Sequence, residues 1–161
     1  MNKIREVPLR RVQITDAFWS ERQRIIAHTA VPYMEKILRD EVPGAEKSHA
    51  IENFRIAAGE SRGEFYGMVF QDTDVYKWLE TASYSLLVNP DPELEARMDA
   101  IIEVIARAQQ PDGYLNTYFT LQEPDKKWTN LLECHELYCA GHMIEAAVGH
   151  YEVTGKCNLL N

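Results

Sequence analysis

The chain is short of positive charge: 17 Lys and Arg against 25 Asp and Glu leave a formal −8 over 161 residues. A polyanion would be repelled over most of such a surface, which argues against a nucleic-acid partner. Long apolar runs are missing as well. No stretch approaches the roughly 18 residues of a membrane span, so no membrane partner is expected. The opening Met1-Asn2-Lys3-Ile4-Arg5-Glu6 carries charge with no apolar run behind it, unlike a secretory leader. Cysteine is scarce: Cys134, Cys139 and Cys157 cannot all pair with one another, and the first two share a predicted helix where pairing geometry is poor. Reduced thiols in a cytoplasmic protein are the expectation. Phosphate-binding glycine loops, dinucleotide fingerprints and nucleophilic serine elbows are absent. Low-complexity linkers and clean internal repeats are absent too.

What remains is an ordinary globular composition, 45% hydrophobic and 26% charged, at a length of about one domain. Its dominant pattern is helical. Val7, Leu9, Val12 and Ile14 alternate and suggest a short strand. Thr15 or Asp16, the latter favoured by the apolar Phe18 and Trp19 that follow, caps a helix that runs to about Leu38, with Pro32 set to kink or split it. Residues 48–58 predict a short helix and 59–67 a loop. Asp72-Thr73-Asp74 caps a helix that Asn89-Pro90 ends. Asp91-Pro92 opens the next as cap and first-turn proline, and Pro111-Asp112-Gly113 turns the chain after it. Residues 114–130 read as an aromatic-rich loop, followed by a helix over 131–153 that Gly155 closes. Helices joined by long loops favour stacked hairpins over a simple bundle. The fold class expected is all-α. The chain stops on the apolar Leu159-Leu160, which reads as an interruption.

Three clusters could carry chemistry. In 133–142, His135, Cys139 and His142 fall on one face of the predicted helix. That face could pack in the core, could bond a ligand's hydroxyls, or could hold a zinc ion. The His-Glu-x-x-His zinc spacing is not met. Phe70 and Gln71 precede a helix whose Asp and Thr have the ordinary chemistry of caps, and both could project into a cleft at that end. Tyr114, Asn116 and Tyr118 pair rings with an amide, which suits a sugar as well as it suits the roof of a core. No pair of carboxylates stands out as a glycosidase acid and base.

With these residues in view, the chain resembles family 127 of the glycoside hydrolases, the β-L-arabinofuranosidases. The likeness is carried in order by SHAIENF at 48–54, GMVFQDTDVYKWLE at 67–80, ARAQQPDGYL at 106–115 and HELYCAGHMIEAA at 135–147. It implies that residues 1–161 form the incomplete N-terminal part of an (α/α)6 catalytic barrel built of helical hairpins. It implies a retaining hydrolase of L-arabinofuranose-containing oligosaccharides or glycoconjugates. It also implies a cysteine nucleophile, an acid/base glutamate and a zinc ion held by cysteines and a glutamate. Those positions are expected downstream of Asn161, so no catalytic or metal-binding residue is assigned within the chain. His135 matches a sugar-contacting histidine, and Phe70, Gln71 and His142 are expected to act as substrate-binding neighbours. A partial ring leaves helix faces unburied and open to self-association. The alternative is a non-catalytic helical module for carbohydrate binding or assembly.

Overall fold

The computed structural model describes residues 6–161, and among these no strand forms. The expected strand over 7–14 is instead extended chain with one tight turn at Leu9–Arg11. Alternation alone makes no sheet when no second strand offers a hydrogen-bonding edge. The first helix opens where expected, with Asp16 accepting from the amides of Phe18 and Trp19. It runs as α1 (Ala17–Ile25), a widened turn (Ile26–Ala30) and α2 (Val31–Leu38). The widening is the local answer to Pro32, which offers no N–H to the preceding turn. A short α3 (Ala50–Ala57) follows.

Four further helices complete the fold: α4 (Asp72–Val88), α5 (Pro92–Ala108), the five-residue α6 (Thr117–Leu121) and α7 (Glu136–Thr154). Asp91 caps α5 through the amides of Glu93 and Leu94, as its sequence predicts. Two expectations are corrected. The stretch 114–130 is not all loop, because Asn116 accepts from Phe119 N and caps α6. The last helix begins at Glu136 rather than near 131. Leu131 and Leu132 supply apolar periodicity but find no core to face, and Leu132 is 85% exposed.

Cross-helix contacts fix the arrangement. Trp78 Nε1 donates to the Val31 carbonyl at 3.0 Å, while Gln23 and Ile26 lie beside Tyr84 and Val88. The α1–α2 segment and α4 are therefore antiparallel. The buried Glu35 carboxylate joins α2 to α5 by accepting from Arg39 Nε at 3.0 Å and Arg97 Nε at 2.9 Å. Lys77 meets Tyr138 and Tyr84 packs on Gly149, so α4 and α7 run parallel. Asp99 of α5 faces His150 of α7 at 4.0 Å, and Ile105 and Gln109 lie beside Met143 and Ala140. So α5 runs antiparallel to α7, and the result is two helical hairpins side by side, α2 with α4 and α5 with α7. Both α4 and α7 start at the same end of the molecule. Leu79, Ala82, Met98, Ile102, Ile105 and Ala146 fill the space between the layers.

Replacing Leu79, which is fully buried, by Ala should destabilise the chain by about 2–5 kcal/mol in urea unfolding. Tyr33→Ala, at a half-exposed position, should stay within about 1 kcal/mol.

Candidate active-site cleft at the helix N-termini

The shared end of α4 and α7 gathers the residues that the sequence singled out. The Phe70 ring lies 5.3 Å from the imidazole of His135 and 6.5 Å from the ring of Tyr138. Tyr138 is 5.9 Å from His135 and stands perpendicular to His142 at 4.6 Å. Phe70, His135 and His142 are half-buried and Tyr138 is exposed, so the group forms a part-exposed aromatic cluster at the surface rather than a core. Lys77 Nζ donates to the Tyr138 hydroxyl at 2.7 Å and lies 4.9 Å from its ring centroid. Tyr138 and Lys77 were missed by sequence reasoning, although their helical spacing from His142 and Asp74 was readable. Gln71, next to Phe70 in the chain, has its amide engaged locally. It donates to Asp74 Oδ2 and Ser48 Oγ and accepts from Met68 N. Gly67, with φ +113°, makes room for it: a Cβ there would stand 2.5 Å from Gln71 Oε1.

Two buried carboxylates hold this end together. Asp72 is not the cap its position suggested. Residue 71 makes no capping bond, and the Asp72 carboxylate instead accepts from the Thr117 amide at 2.8 Å and from the Thr117 hydroxyl. Burial pushes its carboxyl up to about 6, against the lowering effect of the two Thr117 bonds. Glu136, the first residue of α7, accepts from the Tyr114 hydroxyl at 2.5 Å and from the Trp128 amide at 2.8 Å. Burial, and then this hydrogen bond, raises the Tyr114 phenol far above its ordinary value. Of the residues the sequence singled out there, Tyr114 and Asn116 are buried. The half-buried Tyr118 packs edge-on against Phe65 and Phe119 at 5.2 and 5.1 Å, so these rings pin structure rather than join the cluster.

His135 is not on the helix. It takes φ +55° just before it, a left-handed conformation that costs a non-glycine residue on the order of 1 kcal/mol. This turn throws its ring toward Phe70, while Cys139 faces inward and is buried. The face shared by His135, Cys139 and His142 in a continuous helix therefore does not form. Burial, reinforced by the charge of Asp72, pushes the Cys139 thiol up to about 12, which disfavours the thiolate a zinc ion requires. His142 Nδ1 lies 2.9 Å from Glu145 Oε2 but lacks hydrogen-bond alignment. Among the described residues no three His, Cys, Asp or Glu side chains converge as a ligand set. These residues do not fit a zinc ion.

Comparison with known proteins gives the family. A family model described as "Beta-L-arabinofuranosidase, GH127 catalytic domain" matches residues 11–161. The chain belongs to this family. It is 44% identical to a non-reducing end beta-L-arabinofuranosidase of Bifidobacterium longum subsp. longum, over 90% of this chain and 24% of that protein. A GH127 beta-L-arabinofuranosidase from Geobacillus stearothermophilus T6 superimposes with a TM-score of 0.90 at 59% identity, over 92% of this chain and 23% of that one. A second GH127 beta-arabinofuranosidase matches at 0.83 and 38% identity, over 96% and 25%. The two hairpins are accordingly part of the family's (α/α)6 barrel. The chain spans about a quarter of the length of these relatives.

The raised carboxyl of Asp72 gives a signed pH effect. The folded chain holds this proton more tightly than the unfolded chain does. Its contribution to stability is full below the ordinary carboxylate range and is lost as pH rises through about 6. Asp72→Asn keeps the shape without the charge. It should shrink the loss of stability between pH 4 and 7 by on the order of 2 kcal/mol relative to the parent chain, read from denaturant midpoints.

Proposed function

We propose that this segment supplies part of the sugar-pocket wall of a retaining β-L-arabinofuranosidase acting on L-arabinofuranose-containing oligosaccharides or glycoconjugates. The observation that carries the reading is the convergence of Phe70, His135, Tyr138 and His142 where α4 and α7 begin together, in a chain of this family. Aromatic faces stack on the C–H surface of a furanose, and imidazole nitrogens exchange hydrogen bonds with its hydroxyls. His135 and His142 would orient the ring. Phe70 would stack on it, and Gln71 would hold the loop that carries Phe70.

The nucleophilic cysteine, the acid/base glutamate and the zinc ligands of the family are assigned to further hairpins of a relative-length protein, in line with the buried, protonated state of Cys139. On this reading the 161 residues bind sugar without cleaving it. The exposed apolar side chains along one edge of α7, Leu137, Ile144, Val148 and Tyr151, support self-association of this chain wherever no further hairpin covers them. The compartment proposed is the cytoplasm, on the three free thiols. Among the described residues no helix is long and apolar enough to cross a membrane.

The test is titration of the chain with L-arabinose presented as its methyl β-furanoside, because the free sugar in water is mainly pyranose, by calorimetry or ligand-observed NMR. His135→Ala and Phe70→Ala should each weaken binding at least tenfold, a loss of about 1.4 kcal/mol. Equal affinities for parent and variants would remove the cleft from the account.

A further inference from the structure

The side chains on either side of one peptide bond point to opposite destinations at the start of α7. His135 is in the left-handed region and turns outward to Phe70. Glu136, 2% exposed, turns inward and takes up two donors from the preceding loop, the Tyr114 hydroxyl and the Trp128 amide. Trp128 is itself left-handed at φ +64°, and its ring meets that of Tyr114 edge-on at 5.2 Å. The seven residues between Trp128 and Glu136 are therefore tied at both ends to one carboxylate. His135 makes no side-chain capping bond of its own. Its carbonyl accepts from Cys139 N, and the loop before it is closed by Cys134 N on the Asn130 carbonyl and by the Asn130–Glu133 pair. The Glu136 carboxylate is what ties that loop to Tyr114 and Trp128. A left-handed non-glycine residue persists when its surroundings over-determine it.

We infer that Glu136 is a positioning residue: by clamping Tyr114 and Trp128 it keeps His135 in the backbone conformation that delivers its imidazole to the sugar cleft. The inference deepens the sugar-pocket reading and rests on it for its consequence in binding. Its structural half, the hold on His135, stands on the geometry alone. Glu136→Gln is the informative change. It preserves size but leaves one acceptor oxygen where the carboxylate has two. The Trp128 N–H, which stands 3.0 and 2.8 Å from the two oxygens, then keeps one acceptor and meets an amide nitrogen at the other.

The experiment combines a double-mutant cycle with NMR of the histidine side chains in the 161-residue chain. Glu136→Gln should shift the His135 ring resonances in the absence of ligand and weaken binding of the methyl β-furanoside at least tenfold. In a His135→Ala background the same change should have no further effect on affinity. Tyr114→Phe removes one donor and leaves the carboxylate, so it keeps the test open should Glu136→Gln not fold; it should move the same resonances in the same direction by less. Unmoved His135 resonances in both variants would overturn the inference, as would an equal fold-loss with and without His135. A parent chain that binds no methyl β-furanoside would instead sink the sugar-pocket reading, with the ring resonances still deciding the clamp.

Discussion

The arrangement at the shared end of α4 and α7 depends on two carboxylates buried at the first turns of parallel helices. Asp72 begins α4 and Glu136 begins α7, where the helix dipole favours negative charge. Both spend their acceptors on one connecting segment, through Thr117 in one case and through Tyr114 and Trp128 in the other. Stacked hairpins can slide along one another if only apolar side chains meet. Directional bonds to buried acceptors fix the level at which the two helices start. That common level is what brings Phe70, one residue pair ahead of Asp72, against His135, one residue ahead of Glu136.

The same geometry separates two populations of aromatic residue that look alike in sequence. Tyr76, Phe54, Phe119 and Tyr114 are buried and hold the layers. Phe70, Tyr138 and the two imidazoles lie in the part-exposed cluster, braced by the Lys77 ammonium on the Tyr138 hydroxyl. Charge is handled likewise. Glu35 is buried but shared by two guanidinium groups, whereas Asp72 has only neutral donors and so holds its proton more tightly. A buried carboxylate with no cation nearby is a weaker stabiliser than a paired one, and its value here is positional.

Much of the fold was legible because it is local. Asp16, Asp91-Pro92 and Gly155 mark helix ends through bonds made within a few residues, and each acts as its chemistry predicts. Pro32 announced a disturbance, and only its form, a widened turn, had to be seen. What escaped was non-local. Asp72 reads as a cap because nothing in its neighbourhood reveals Thr117, 45 positions away. The start of α7 was set too early because Leu131 and Leu132 imitate a helical face, while the left-handed turn at His135 carries no sequence signature. Asn116 as the cap of α6 was readable and was passed over. Of the residues the sequence singled out, Phe70 and His135 lie together and His142 joins them through Tyr138, whereas Gln71 is tied into its own loop.

The common level of the two helix starts explains how this segment brings Phe70 and His135 together. The most direct measurement is a crystal structure of the chain with L-arabinofuranose bound. The account predicts the furanose between Phe70 and His135, with a hydroxyl in hydrogen-bond reach of an imidazole nitrogen. A sugar lodged elsewhere on the hairpins, with the Phe70–His135 space empty, would contradict it.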